Sequence, residues 1–268
     1  MDNVLLAFAL TTFAGLSTGI GSALAFFSKK TSTRFLSVAL GFSGGVMIYV
    51  SMVEIFFKAR DSLVSELGMK PGSWLTVISF FGGMLLIAAI DKLIPERENP
   101  HELHHVEELC VDGACHSRDK LMRTGVFTAL AIGIHNFPEG LATFISALQE
   151  PSIAIPITIA IAIHNIPEGI AVSVPVFYAT GSRKKAFAYS FLSGMSEPVG
   201  ALIGYLILMP FLNDLMFGII FASVAGIMVF ISLDELLPTA REYGHAHLSV
   251  YGMIAGMMIM AVSLLLFL

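Results

Sequence analysis

Charge is scarce in this 268-residue chain: Asp, Glu, Lys and Arg make up 13% of it, against 56% hydrophobic residues. So few polar groups cannot cover a soluble globule of that size, so the expected solvent is a bilayer. Cysteine is scarcer still. Cys110 and Cys115 are the only two, and both fall in a polar connection expected to be cytoplasmic, which argues against a structural disulfide. No thiolate lies in an apolar stretch, which argues against copper(I) chemistry.

What the chain has is long apolar runs. A transmembrane helix needs about 20 largely apolar residues, and eight runs qualify: Val4–Phe27, Phe35–Phe57, Trp74–Ile94, Gly125–Leu148, Ile153–Tyr178, Ala186–Leu208, Leu215–Leu237 and Val250–Leu268. Little remains for a soluble domain, so residues 1–268 are expected to form a single transmembrane domain. The first run resembles a secretory signal at Ala23-Leu24-Ala25. Met1, Asp2 and Asn3 carry no positive charge, however, and the run is too long for a signal core, so it reads as a retained helix. With the N-terminus outside, twelve basic residues fall on inner connections (Lys29, Lys30, Arg34, Lys92, Arg97, Arg118, Lys120, Arg123, Arg183, Lys184, Lys185, Arg241) and three on outer ones (Lys58, Arg60, Lys70). That asymmetry predicts an all-α membrane protein with eight transmembrane helices and both termini outside.

Most connections are short, which makes consecutive helices antiparallel neighbours. The exception is Pro95–Lys120, a polar, His- and Glu-rich stretch that reads as a cytoplasmic loop. Glycines spaced four apart at Gly15/Gly19, Gly41/Gly45, Gly200/Gly204 and Gly252/Gly256 predict close helix packing.

One repeat carries the chemistry. His135-Asn136-Phe137-Pro138-Glu139-Gly140 is echoed by His164-Asn165-Ile166-Pro167-Glu168-Gly169, each near the middle of its span. An ionisable side chain at mid-membrane costs about 2.5–3.5 kcal/mol on insertion scales, so it faces a polar interior and has a partner. With no intramembrane Lys or Arg nearby, a bound cation is the simplest neutraliser. Residues i, i+3 and i+4 share a helix face, which aims His135, Asn136 and Glu139 one way and His164, Asn165 and Glu168 likewise. Pro138 and Pro167 cannot donate to the carbonyls of Ile134 and Ile163, which predicts unwound segments there. Glu197, in Ser196-Glu197-Pro198, brings a third carboxylate. Imidazole suits zinc, iron, copper and nickel, while carboxylate and amide oxygens extend acceptance toward manganese. Three carboxylates, two imidazoles and two amides suffice for two adjacent ions, bridged by Glu139 and Glu168.

The paired HNFPEG and HNIPEG segments, the SEPVG segment and Leu233-Asp234-Glu235-Leu236-Leu237-Pro238 together resemble the ZIP family of metal transporters, in its bacterial zinc-uptake branch. The resemblance covers essentially the whole chain. It implies eight helices, outward-facing termini and a multi-pass place in the plasma (inner) membrane. It implies import of zinc, with iron, manganese, cobalt and cadmium as further cargo and no cofactor. It also implies a two-ion site on helices 4, 5 and 6 whose ligands map onto His135, Asn136, Glu139, His164, Asn165, Glu168 and Glu197; with acids toward both faces, the expected mechanism is alternating access.

Other polar positions are weighed as pathway residues. Glu54 lies near the outer end of the second helix, one turn after Ser51; Asp91, Asp234 and Glu235 lie near inner ends. Helix-end acids that simply reach solvent are the plainer reading. His101-Glu102-Leu103-His104-His105 matches the HExxH protease pattern, but lacks the supporting helix, third ligand and cleft of that chemistry. Together with Cys110, Cys115 and His116 it reads either as a segment that holds or senses metal reversibly or as a solvated, functionally dispensable loop. An intramembrane metal-dependent hydrolase stands as the alternative to a transporter, and it would need an open coordination position, a base and a substrate groove. The bilayer and divalent metal ions are the expected partners; nucleic acid is not one, and a homodimer stays open.

Overall fold

A chain with no water around it has to close its backbone hydrogen bonds internally, and helices do this within one segment. The structure is a computed structural model that describes residues 2–27, 33–92, 118–149, 151–211, 213–242 and 246–266. Among the described residues there is no strand. The order is α1 (Asp2–Phe27), α2 (Thr33–Tyr49), a π-helical turn (Val50–Ile55), α3 (Phe56–Leu67), α4 (Met69–Asp91), α5 (Arg118–Gln149) and α6 (Pro151–Thr180). It continues with α7 (Arg183–Gly194), α8 (Ser196–Ile203), a π turn (Gly204–Leu208), α9 (Asp214–Ile231), a π turn (Ser232–Leu236), α10 (Leu237–Glu242) and α11 (Ala246–Leu266). The connection with His101, Glu102, His104, His105, Cys110, Cys115 and His116 lies outside the described residues.

Six stretches among the described residues are long and apolar enough to cross a membrane: Asn3–Ala23, Ser37–Leu67, Met69–Asp91, Ala154–Val174, Asp214–Arg241 and His247–Leu266. Each coincides with an expected run. Of the other two runs, Gly125–Leu148 lies within the 32-residue α5, some of whose side chains fall outside the described residues. The run Ala186–Leu208 is not one helix. It breaks at Met195, between α7 and α8, where the ring of Pro198 opposes the carbonyl of Gly194 four residues back.

Large apolar side chains point outward, as a lipid solvent permits: Trp74, Ile78, Phe81 and Leu85 on α4, and Met258, Val262 and Leu265 on α11, are exposed. The helix contacts are built instead from small residues. Gly41 and Gly45 of α2 face the carbonyls of Ser249 and Met253 on α11, and Gly252 and Gly256 of α11 face those of Val38 and Phe42. Any Cβ at these positions would collide with backbone, so glycine sets the separation. The α4–α9 contact repeats the scheme, with Gly83 against the Ser223 carbonyl and Gly226 against that of Phe80.

That repetition belongs to a pseudo-two-fold relation running through the molecule. Helices α5 and α6 pack on each other, α1 packs mainly on α6 and also on α5, α8 packs on α5, and α7 packs on both α5 and α6. The π turns fall at matching places in matching sequences, 45–54 (GVMIYVSMVE) and 226–235 (GIMVFISLDE). Glu54 and Glu235 are therefore counterparts. Residues 15–21 (GLSTGIG) and 194–200 (GMSEPVG) correspond in the same way.

Candidate metal centre

Neither Pro138 nor Pro167 unwinds its helix: α5 and α6 run through them as continuous α-helix. This corrects the expected unwound segments. Each proline removes one backbone bond, and packing on both sides keeps the chain helical. The motif glycines provide that packing. Gly140 faces the carbonyl of Glu197 while Gly200 of α8 faces that of Phe137; Gly169 faces the carbonyl of Thr18 while Gly21 of α1 faces that of Ile166. Each motif copy thus receives one flanking helix at backbone distance.

His135, Asn136, Glu139, His164, Asn165, Glu168 and Glu197 are all buried, none more than 1% exposed. The two copies pair crosswise. His164 Nε2 lies 3.3 Å from Glu139 Oε2, and His135 Nε2 lies 3.5 Å from Glu168 Oε1. His135 Nδ1 also lies 3.4 Å from Glu235 Oε2, so the π turn of α9 delivers a fourth carboxylate to the edge of the cluster. Asn165 donates to the Ala14 carbonyl at 2.9 Å and to Glu197 Oε1. Asn136 reaches the Ser193 carbonyl at 3.5 Å. With its amide turned over, it donates instead to Glu168 Oε2 at 3.3 Å and to the Ile132 carbonyl at 3.2 Å, which satisfies both ends of the group. Glu197 is thus held by Asn165, while Asn136 bonds elsewhere.

Several polar atoms in the cluster have no hydrogen-bond partner: Glu139 Oε1, His164 Nδ1, Asn165 Oδ1 and Glu197 Oε2. Burying three carboxylates against two imidazoles leaves charge and lone pairs unsatisfied, which is costly unless a cation is shared among them. Among the described residues, no three His, Cys, Asp or Glu side chains are already drawn around one point. The cluster is spaced by its crossed pairs and is not gathered into a finished shell.

The pathway candidates are more dispersed. Glu54 pairs with Lys58 at 3.7 Å, one helical turn on. Asp91 closes α4 and is half-buried, and Asp234 is exposed. Glu235 touches the cluster, through His135. Reading the sequence by charge missed α1 altogether, although Ala14, Thr18 and Gly21 line the α6 copy as Ser193, Glu197 and Gly200 line the α5 copy. The signal was present as the resemblance of residues 15–21 to 194–200.

A model of the ZIP zinc transporter family matches residues 91–264. The chain is 66% identical over 278 residues to a protein named zinc transporter ZupT from Clostridium perfringens, covering 100% of this chain and 98% of that one. It is 68% identical over 266 residues to a zinc transporter ZupT from Oceanobacillus iheyensis, covering 99% of each. A third, from Streptococcus mutans, is 67% identical over 261 residues, covering 97% of each. A buried, repeated His-Asn-x-Pro-Glu-Gly pair in an all-helical membrane chain, and this likeness along its length, lead to one conclusion: the chain belongs to the ZIP zinc transporter family, whose members are multi-pass membrane transporters and not enzymes.

Proposed function

We propose that this protein imports zinc across the plasma membrane through a two-ion site formed by His135, Asn136, Glu139, His164, Asn165, Glu168 and Glu197. The observation that carries the reading is the crossed pairing of the motif copies. Separations of 3.3 and 3.5 Å are long for hydrogen bonds. Two ligand atoms on one tetrahedral zinc, each at about 2.1 Å, stand about 3.4 Å apart. An ion can therefore enter between each imidazole and its carboxylate with little rearrangement. Unsatisfied oxygens on Glu139 and Glu197 supply the remaining donors, and Glu139 and Glu168 bridge. The relatives carry the word zinc in their names; the oxygen-rich donor set extends the cargo to iron, manganese, cobalt and cadmium.

In this reading the whole chain is one transport domain of eight spans, with both termini outside, and residues 95–120 form a cytoplasmic loop. Ions enter near Glu54, shed most of their water at the paired motifs and leave past Asp234 and Glu235, with Asp91 at the inner rim. Alternating access is supported by the pseudo-two-fold relation, since inverted repeats meeting at a midplane site allow two equivalent packings. Uptake of zinc into proteoliposomes, with the other metals as competitors, tests the proposal. Absence of zinc flux from well-folded, correctly inserted protein refutes it.

A further inference from the structure

The correspondence between the two π turns runs on past their acids. Residues 45–60 (GVMIYVSMVEIFFKAR) and 226–241 (GIMVFISLDELLPTAR) match through the Ala-Arg that ends each, and Ala59 and Ala240 are both fully buried. In this register Glu54 stands where Glu235 stands, and Lys58, one turn on, stands where Thr239 does. The first segment carries a cation where the second carries a neutral hydroxyl.

The two acids are also placed differently. Glu235 Oε2 lies 3.4 Å from His135 Nδ1, at the edge of the motif cluster. Glu54 Oε1 lies 3.7 Å from Lys58 Nζ, four residues further along the chain. Glutamate followed at i+4 by lysine is the favourable order for such a pair on a helix. Both side chains are half-buried, so the pair is not a freely solvated one. Arg60, the next basic residue, bonds instead to Met69 Sδ at 3.7 Å.

We propose that Lys58 is a specificity-determining residue of the entrance: its ammonium occupies the Glu54 carboxylate as a tethered cation, which an incoming metal ion has to displace. The inference rests on the reading of Glu54 as the outer acid of the pathway. Attraction to the carboxylate scales with the charge of the ion. A monovalent ion that takes the place of the ammonium gains no charge over it, and the tether keeps the ammonium at hand to return. A divalent ion carries twice the charge, so the exchange favours it. Lys58 thereby screens Glu54 from sodium and potassium. It also weakens the hold of the rim on zinc, so that the ion passes on to the motif cluster. At the matching place on the inner side stands the uncharged Thr239, and Glu235 is directed to His135.

The test is zinc uptake by the full-length protein in proteoliposomes, with sodium chloride or choline chloride outside at matched ionic strength. In choline, Lys58→Gln should lower the KM for zinc by roughly two- to fivefold, the scale on which a partly exposed ion pair acts. Sodium should raise that lowered KM again, while the unmodified protein shows one KM in both salts. Lys58→Arg keeps the cation and should restore both behaviours. In a Glu54→Gln background, Lys58→Gln should have no effect on KM. An unchanged KM in Lys58→Gln, an equal sodium effect with and without the substitution, or the same drop in the Glu54→Gln background would overturn the proposal. Glu54→Gln alone separates the two readings. If it raises the KM while Lys58→Gln changes nothing, the pair only stabilises the helix and the inference alone fails; if Glu54→Gln leaves the KM unchanged, the entrance reading fails with it.

Discussion

The imidazole of His164 faces the carboxylate of Glu139, 3.3 Å away and 25 residues earlier in the chain. Each copy of the motif therefore lends its histidine to the acid of the other, and neither copy is a site alone. The proposed binding function belongs to the α5–α6 pair, with α1 and α8 as its walls.

Removal of either central acid should abolish transport. Glu139→Ala and Glu168→Ala delete a shared ligand, and they also lower the cost of placing the helix in the bilayer. Both variants should reach the membrane in normal amounts and show zinc uptake at background. Near-normal uptake by either variant, measured per inserted molecule, would contradict the site assignment.

The two ions should respond to different substitutions. Glu197→Ala should lower the bound metal from two ions toward one and impair iron or manganese more than zinc, because it removes an oxygen donor held by Asn165. His164→Ala removes a nitrogen and should damage zinc most. Elemental analysis of the purified variants, alongside competition uptake, checks the pattern; equal loss of all metals in both would sink the division of ligands.

The motif glycines give a prediction about stability. A methyl group at Gly140 or Gly169 would collide with the carbonyl of Glu197 or Thr18, whereas one at Gly82 on α4 meets nothing within 4 Å. Gly140→Ala and Gly169→Ala should each cost about 1–3 kcal/mol, the usual scale of overpacking. Gly82→Ala should change little. Melting temperatures in detergent would rank the three variants, and equal values would mean the flanking helices can shift freely.

Glu54 and Glu235, counterparts in the two π turns, should fail in opposite ways. Glu54→Gln weakens cation capture at the entrance and should raise KM for zinc with the maximal rate nearly kept. Glu235→Gln removes the acid 3.4 Å from His135 Nδ1 and should lower the maximal rate through slower release. The same kinetic signature in both variants would break the proposed direction of travel.

The legible part of this molecule was the part written in charge. A twice-used His-Asn-x-Pro-Glu-Gly in apolar surroundings has few explanations, and the residues it names do converge. Six of the expected spans and the α2–α11 glycine contacts were legible for a similar reason, since lipid demands apolar length and close packing demands the absence of a side chain. The place of α1 beside the motifs was not legible, because Thr18 and Glu197 share a position and not a chemistry. The repeats at residues 15–21 and 45–54 consist, apart from Glu54, mostly of small and apolar residues that are common in any membrane helix, and the contacts made their partners evident. The motif prolines misled: Pro138 and Pro167 sit in unbroken helices, and the break lies instead at Met195, ahead of Pro198.

The crossed pairing also bears on how the protein is made. Helix α5 emerges from the ribosome before α6, carrying Glu139 and His135 with no counterpart yet synthesised. A lone acid at that depth would be expensive to release into lipid, and its partner His164 arrives only with the following helix. A single residue separates the end of α5 at Gln149 from the start of α6 at Pro151, too little chain to let the two separate. Helices α5 and α6 are therefore expected to leave the translocation machinery together, as a hairpin whose polar faces already touch. A longer linker placed between them should then slow assembly, even though every residue of the finished site would still be present.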